Sequence, residues 1–321
     1  MQYRVYGQTL SCDTPLPELE PAIALEQEAE ADVQVRLSGC SPTCTTPLTL
    51  FMSWALPTGE PWLSCNKIAG DYLLQYHGLA QFSVDGTGRH IVGIAEAEIP
   101  RDTLRHLLLD QVLPMALSLQ GREALHASAV LTPLGVCVFI GPSGTGKSTL
   151  AASLLNTGYP LLSDDCLVLE ENHGSIVAVA AYPGLRLWDD TVEALYGGTG
   201  PLQSVAHYTS KQRLVARVSS DNVPIDRHPV RAVYCLAPQD GDGEEHSADS
   251  LVARLSLREG LMELLSSAFR LDITDRAMLV RQFDFFDRVA PLIPVKRLKI
   301  HHRFTFLPVI REAILADLAD Q

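Results

Sequence analysis

A glycine-rich segment near the middle of the chain ends in a lysine and a serine. Gly141, Gly146, Lys147 and Ser148 match the spacing G-x-x-x-x-G-K-[ST], after a β-branched apolar run and before a helical pattern. Glycines here let backbone N–H groups converge on phosphate oxygens at the positive end of the helix. An ordinary glycine-rich turn would not explain the lysine and serine. The residues predicted to bind ATP are Gly141, Ser143, Gly144, Thr145, Gly146, Lys147, Ser148 and Thr149.

Two adjacent aspartates, Asp164 and Asp165, follow one helix and one turn later, between two short apolar runs. Like charges in such surroundings repel each other and lose hydration. If the short strand before them lies parallel to Val136–Ile140, they face the same crevice as the glycine-rich loop. We expect Asp164 to accept the proton of an acceptor hydroxyl, and Asp165 and Ser148 to hold Mg²⁺. A helix cap or turn pair is the alternative interpretation.

A predicted hairpin adds a histidine to this group. Thr132–Gly135 has proline at the second and glycine at the fourth turn position, a β-turn pattern. Folding the flanking segments antiparallel about this turn pairs Leu131 with Val136 and brings His126 opposite Gly141. His126 then lies within reach of Asp164, so we expect a catalytic role for it beside Asp164 and Lys147. A histidine satisfied within the structure is the alternative.

Three basic residues farther along the chain could complete the contacts to phosphate. They are Arg186 in "PGLRLW", and Lys211 and Arg213 in "YTSKQRLVA". Phosphoryl transfer depends on positioning and on neutralising charge, so cations around the transferred group are expected. Ordinary exposed surface charges are the alternative for all three residues.

The overall charge argues against nucleic acid as a partner. The 321 residues carry a formal net charge of −13, and no stripe of Lys and Arg interrupts the acidic balance. Binding to a phosphate backbone requires such clusters. No apolar run is long enough to span a membrane, and the first residues lack a secretory signal pattern. We therefore expect a cytoplasmic protein that binds neither nucleic acid nor membrane.

The sequence contains a cysteine pair and a histidine pair that could in principle bind a metal ion. The seven cysteines are scattered, which favours reduced thiols over a disulfide framework. Cys40 and Cys44 are close, but no second pair of ligands accompanies them, so zinc is not expected. His301 and His302 in "KIHHRF" are interpreted as the end of a strand rather than a metal site.

The chain changes character along its length. Residues 1–100 contain short alternating segments typical of β-strands, with hairpin turn chemistry at Asp85–Gly88, and residues 101–120 predict a connecting helix kinked at Pro114. Strand and helix patterns then alternate over residues 121–237, which predicts an α/β core. Residues 238–250 are acidic and predict a surface loop. Residues 251–321 predict C-terminal helices.

Three segments carry a family resemblance. "HASAV", "GPSGTGKST" and "LLSDD", in this order and at these intervals, resemble the catalytic domain of HPr serine kinase/phosphorylase. The compact spacing is also that of the related phosphoenolpyruvate carboxykinase-type nucleotide site. "YRVYGQTLSCDTPLPEL" and "YPGLRLWDDTVEAL" are similar to HPr-kinase-like proteins of lasso-peptide biosynthetic clusters. The resemblance implies an α/β core with a P-loop.

The resemblance also implies roles. In the family, the first aspartate of the pair is the base that acts on a serine hydroxyl, supported by the histidine, while the second aspartate and the loop serine serve Mg²⁺. The expected function is an ATP- and Mg²⁺-dependent kinase for a serine in a peptide or small protein, with the C-terminal residue of a lasso-peptide precursor as one implied acceptor. A kinase for a small molecule such as free serine, and a non-catalytic nucleotide-binding regulatory module, remain alternatives. The sequence leaves homo-oligomerisation open.

Overall fold

The computed structural model describes residues 1–21, 30–37, 48–56, 58–96, 98–182, 184–198, 202–215, 227–238 and 251–320. The chain forms a mixed α/β structure with several sheets and divides into two compact units. The first comprises Met1–Arg122, Val205–Thr209 and Phe269–Arg281. The second comprises Glu123–Ser204, Ser210–Ala268 and Gln282–Gln321. Cys40, Cys44 and most of the predicted acidic loop, residues 239–250, lie outside the described residues.

The first unit contains a nine-stranded sheet with the order β3-β1-β2-β4-β9-β8-β7-β6-β5. Its strands are β1 (Gln2–Val5), β2 (Gln8–Cys12), β3 (Glu20–Pro21), β4 (Val33–Arg36), β5 (Thr49–Ala55), β6 (Pro61–Ile68), β7 (Asp71–Tyr76), β8 (Ala80–Val84) and β9 (His90–Ala95). Buried and more exposed residues alternate along β7 and β8, as expected for a sheet with one face in a core. The predicted hairpin at Asp85–Gly88 is confirmed, because β8 and β9 pair antiparallel around it.

The segment after this sheet is helical but irregular. Helix α1 spans Arg101–Leu107, a π-helical turn spans Leu108–Val112, and helix α2 spans Leu113–Leu119. Pro114 lies in the first turn of α2. Proline has no N–H to donate, so the irregularity falls in the turn that precedes it. The part of the chain that the structure describes has no helix long and apolar enough to cross a membrane.

The second unit is built on a larger sheet with the order β10-β14-β15-β19-β12-β11-β13, extended by β21 beside β19 and β20 beside β21, and a small sheet with the order β16-β18-β17. Its strands are β10 (Glu123–Leu125), β11 (Ala127–Thr132), β12 (Gly135–Ile140), β13 (Leu161–Ser163), β14 (Leu167–Asn172), β15 (Ser175–Val179), β16 (Leu185–Leu187), β17 (Leu202–Ser204), β18 (Gln212–Leu214), β19 (Arg227–Pro238), β20 (Val252–Arg254) and β21 (Val295–Ile300).

Strand directions bring several carboxyl ends to one edge of the larger sheet. Strand β12 is parallel to β19, and β19 is parallel to β21. Strand β13 is antiparallel to β11, which is antiparallel to β12, so β13 and β12 run in the same direction. The expected parallel orientation of these two strands is therefore confirmed, although β11 lies between them.

The hairpin of β11 and β12 has the register that its turn predicts. Leu131 pairs with Val136 and Val130 with Cys137. The pairing continues to Ala127 and Ile140, the residues next to His126 and Gly141. The predicted register of this hairpin is confirmed, since local turn chemistry sets the register of a short hairpin.

Helices cover both faces of the larger sheet. They are α3 (Lys147–Leu155), α4 (Asp189–Tyr196), α5 (Leu257–Ser267), α6 (Arg276–Val289) and α7 (Leu307–Ala319). Phe139 packs in a cluster with Leu150 of α3 and Ile314 of α7, whereas its neighbour Val138 packs in a second cluster with Phe286 of α6. Successive side chains of a strand point to opposite faces, so β12 is buried on both.

Residues 251–321 contribute strands as well as helices. Strand β21 adds to the larger sheet beside β19, and β20 pairs with it. The sequence predicts C-terminal helices for this region, with a strand only as the segment that ends at His301 and His302; β20 is not predicted. The alternating pattern of Val295–Ile300 is short and lies next to a helical pattern, and its pairing partner is about sixty residues away. Tertiary pairing of this kind has little local signal.

Candidate active site

The glycine-rich segment forms the connection between β12 and α3. Gly141, Gly144 and Gly146 have φ angles of +143°, +83° and +94°, a region that residues with a Cβ rarely adopt. At Gly141 a Cβ would also lie 3.2 Å from the Leu236 carbonyl oxygen. The loop therefore needs glycine at these points. It delivers the first N–H groups of α3, beginning at Lys147, to the carboxyl edge of the sheet.

The side chain of Lys147 folds back over the loop. Its Nζ donates to the carbonyl oxygens of Gly141 at 2.8 Å and Pro142 at 3.0 Å, and the residue is only 6% exposed. Burial lowers the pKa of Lys147, while the nearby charges of Asp165 and Asp164 oppose that shift. The ammonium group is thus held by two carbonyl oxygens of the loop.

Asp164 is enclosed and accepts three hydrogen bonds. Ser128 Oγ and Ser148 Oγ donate to its Oδ1 at 2.5 Å and 2.9 Å, and the backbone N–H of Arg186 donates to its Oδ2 at 2.9 Å. The residue is 2% exposed. Burial, and then the charge of Asp165, raise the pKa of Asp164 to about 6 despite the opposing charge of Arg186. The first aspartate of the pair therefore contacts the serine at the start of α3.

Asp165 points elsewhere. Its φ angle is +65°, an uncommon conformation for a residue other than glycine that turns the chain sharply after β13. Its carboxylate lies 3.5 Å from Nε of Arg186, and its side chain is 18% exposed. Nδ1 of His126 lies 3.0 Å from the backbone oxygen of Asp165. Two adjacent aspartates thus have different surroundings, one enclosed and one in the wall of a cavity.

Arg186 is a buried part of this arrangement rather than a surface charge. It is 1% exposed, and its NH1 donates to the backbone oxygens of Asp164 at 3.3 Å and Gly184 at 3.0 Å. Its NH2 donates to the hydroxyl of Tyr182, whose ring centroid lies 4.9 Å from the guanidinium carbon. A planar guanidinium suits this combination of ring contact and several acceptors. It offsets the charge of the acidic pair.

His126 lies where the hairpin register predicts, but the contact seen is with Asp165. Its ring faces the backbone oxygen of Asp165, and its own backbone N–H donates to Ser267 at 2.7 Å. Burial lowers the pKa of His126, and the charge of Lys147 lowers it further, whereas Asp165 acts in the opposite direction. The lowered pKa favours a neutral imidazole, which lies against the backbone oxygen of Asp165.

A cavity of about 240 Å³ lies above the loop. Its wall includes most of the predicted nucleotide-binding residues, together with His126, Asp165, Arg186 and Lys211; Nζ of Lys211 lies 5.1 Å from the centre of the Trp188 ring. Gly141, Asp164 and Arg213 lie outside the lining. Arg213 is buried opposite Arg186 in the register of β16 and β18. The described residues contain no cluster of three or more His, Cys, Asp or Glu side chains suited to a metal ion.

Several residues of the site were not predicted from the sequence. Ser128 is two positions beyond His126, and this spacing along an extended chain could have indicated it. Tyr182 and Trp188 flank Arg186 without a distinctive pattern. The segment that follows β21 also lines the cavity, through His301, His302 and Arg303. The sequence predicts only a strand end at the two histidines.

No protein-family profile matches the chain, and no curated protein matches it significantly. Among solved structures, the chain is similar to the HPr(Ser) kinase/phosphatase from Coxiella burnetii, with a TM-score of 0.31 and 12% sequence identity. The match covers 60% of this chain and 97% of that one.

Proposed function

We propose that this protein is an ATP- and Mg²⁺-dependent kinase that transfers the γ-phosphate to a serine hydroxyl of a peptide or small protein. The observation that carries the proposal is the 2.9 Å hydrogen bond between Ser148 and Asp164. It joins the end of the glycine-rich loop to the acidic pair at one edge of the sheet. Phosphoryl transfer needs a phosphate cradle, a metal ligand and a proton acceptor in one place.

The loop and Lys147 supply the cradle. The N–H groups at the start of α3 and the left-handed glycines suit phosphate oxygens. Lys147 is held by the carbonyls of Gly141 and Pro142, within a short reach of the loop interior. Exchange of these carbonyls for β- and γ-phosphate oxygens would restore full charge pairing to a buried ammonium group.

Ser148 and Asp164 fit a Mg²⁺ site. A hydroxyl and a carboxylate that share a metal must lie together, and Ser148 contacts Asp164 rather than Asp165. Mg²⁺ bound with a nucleotide needs only one or two protein oxygens and would neutralise the charge that develops on the phosphates. The proposal therefore exchanges the roles that the family resemblance implies for the two aspartates.

Asp165 is then the proton acceptor. Its carboxylate lines the cavity, whereas Asp164 is enclosed by Ser128, Ser148 and the Arg186 backbone. His126 contacts the backbone of Asp165 and positions it, and the guanidinium of Arg186 lies 3.5 Å from its carboxylate. A base must approach the proton that it removes. Exposure to the cavity thus favours Asp165 for this step.

The proposed acceptor is a serine in a peptide or small protein. Support for a peptide acceptor comes from the resemblance of the N-terminal segment and of Tyr182–Leu195 to the lasso-peptide-associated kinases. A peptide ending in serine is therefore the first acceptor to test, beside internal serines, free serine and water. Free serine as the preferred acceptor would support the small-molecule kinase instead.

The test is transfer of radiolabelled γ-phosphate from ATP with Mg²⁺ to that acceptor panel. Lys147→Ala should lower the transfer rate by about 10²–10³, the usual cost of removing one preorganised electrostatic contact. Lys299→Ala, which changes an exposed lysine on β21, is the matched control and should leave the rate unchanged. ATP binding without any transfer would support the regulatory module. Undiminished transfer by Lys147→Ala would refute the site.

A further inference from the structure

The two sides of the cavity differ in chemistry. Along the carboxyl edge of the larger sheet, β13 and the start of β11 lie on one side of β12 and bring Asp165 and His126. Strands β19 and β21 lie on the other side. These strands contribute Leu236 and Ile300 to the cavity, and helix α7 contributes Leu307 and Ile310. The first side carries the acidic residue, and the second combines these aliphatic side chains with the basic segment 301–303.

In-line transfer assigns the two sides different ligands. The attacking and leaving oxygens lie at opposite ends of the transferred phosphoryl group. The acceptor hydroxyl must approach Asp165, so the leaving nucleoside diphosphate extends away from Asp165. From the loop after β12, that direction leads toward the ends of β19 and β21.

The segment after β21 offers a surface for an aromatic ring. Phe304 is 37% exposed and lines the cavity, beside Arg303 and His302. His301 already stacks on Phe306, with ring centroids 4.3 Å apart and planes inclined by 24°. Bases stack on aromatic side chains and on guanidinium planes with little regard to sequence. An exposed phenylalanine ring beside a guanidinium is suited to stack a nucleobase.

The wall of the cavity that contains Leu236, Ile300, Leu307 and Ile310 is anchored to neighbouring elements. The hydroxyl of Tyr234 donates to Oδ2 of Asp317 in α7 at 2.5 Å, and Nζ of Lys296 donates to Oδ1 of the same residue at 2.5 Å. Arg311 of α7 donates to Ser153 of α3 at 2.7 Å. Helix α7 is thereby tied both to the sheet and to the helix that follows the phosphate loop. A wall held in this way would bind a ligand with little loss of conformational entropy.

We infer that the nucleobase and ribose of the nucleoside triphosphate bind against the wall formed by Leu236, Ile300, Phe304, Leu307 and Ile310, with Arg303 at its open side. The inference rests on the proposed function and adds the subsite that would distinguish a nucleotide from inorganic polyphosphate. Phe304 and Arg303 are the residues expected to provide that distinction.

The experiment is isothermal titration calorimetry of the full chain with ATP and, separately, with inorganic tripolyphosphate, both with Mg²⁺. Phe304→Ala should weaken ATP binding by about 5- to 150-fold, the range for loss of one base–aromatic contact, and leave tripolyphosphate binding within about twofold. Arg303→Ala should act in the same direction. Phe283→Ala changes an exposed phenylalanine on α6 that does not line the cavity, and it should alter neither ligand.

Two results would overturn this inference and leave the proposed function standing. One is unchanged ATP affinity in both Phe304→Ala and Arg303→Ala, and the other is an equal loss for ATP and tripolyphosphate. If wild-type protein bound neither ligand, the proposed function itself would fail. Wild-type binding of both ligands, with variants that affect only ATP, would support the subsite.

Discussion

Asp85 in the turn between β8 and β9 of the first unit and Asp164 in the second unit each accept several hydrogen bonds, yet their pKa values shift in opposite directions. Asp85 accepts from the N–H groups of Arg89 at 2.7 Å and His90 at 2.9 Å and from the hydroxyl of Thr87 at 2.6 Å. Burial alone would raise its pKa, but bonds from Thr87, His90 and Arg89 lower the pKa of Asp85 to about 2. Asp164 also accepts three bonds, and its pKa rises to about 6.

The difference lies in what surrounds the hydrogen bonds. The Asp85 side chain is 25% exposed, so water still solvates part of its charge. Asp164 is enclosed and has Asp165 as its neighbour, and the loss of hydration and the like charge exceed the effect of its donors. Asp85 stabilises the turn that holds it. A charge that costs stability where it stands is typical of a functional site.

The largest effects are expected from changing aspartate to asparagine at three positions, which replaces one carboxylate oxygen by an amide NH2 each time. Asp165→Asn should lower kcat by about 10²–10⁴, the usual cost of removing a general base, without changing the Mg²⁺ concentration needed. Asp164→Asn should raise that Mg²⁺ concentration, because a charged oxygen ligand is lost. Asp85→Asn, the same chemical change at the hairpin turn, should affect neither quantity. Steady-state kinetics with a Mg²⁺ titration measures all three.

The histidine sharpens the assignment. His126→Ala should give a smaller loss of kcat than Asp165→Asn, and the two losses should be sub-additive in the double variant, since residues that act as a unit do not contribute independently. Losses that multiply would separate His126 from the base. A Mg²⁺ shift in Asp165→Asn, with only a kcat loss in Asp164→Asn, would restore the roles that the family resemblance implies.

A second test concerns stability. The pKa of Asp164 is raised from 3.8 to about 6, so its charge destabilises the fold, and this cost develops as the pH rises through these values. Asp164→Asn should therefore raise the free energy of unfolding of the ligand-free protein by about 2–3 kcal/mol at pH 8 relative to pH 4. The two serine hydroxyls can rotate to accept from the new amide. Hydrogen exchange of the β11 and β12 amides at both pH values measures the change.

A wild-type protein whose protection in this hairpin did not fall between pH 4 and pH 8, relative to Asp164→Asn, would contradict the raised pKa. It would also remove the contrast with Asp85. The Asn variant is expected to be more stable and less active, the combination found where a site retains a costly charge.

Local patterns predicted the parts of the site that local chemistry determines. The turn at Thr132–Gly135 predicts the register of β11 and β12, and the spacing of Lys147 and Ser148 predicts the loop. The direction of each aspartate could not be predicted in this way, because it depends on the left-handed backbone of Asp165 and on an N–H from Arg186, more than twenty residues later. The wall inferred to bind the nucleobase depends on β21 pairing with β19, another non-local event.

The smallest effect is expected at the turn of the first unit. The pKa of Asp85 is lowered to about 2. Its charge therefore stabilises the fold at pH values above the ordinary aspartate pKa of about 4, and this contribution is lost as the pH falls through about 2. Asp85→Asn keeps an oxygen acceptor for the N–H groups of Arg89 and His90 and removes the charge. It places an amide NH2 where the Thr87 hydroxyl donates, and that hydroxyl can rotate to accept from it. Because the side chain is partly solvated, the loss should be about 1–2 kcal/mol at pH 7 and should shrink toward pH 2. Hydrogen exchange of the β8 and β9 amides in the variant and the wild type tests this. A loss independent of pH would mean that hydrogen-bond geometry, rather than charge, gives Asp85 its role, and the contrast with Asp164 would then be one of packing.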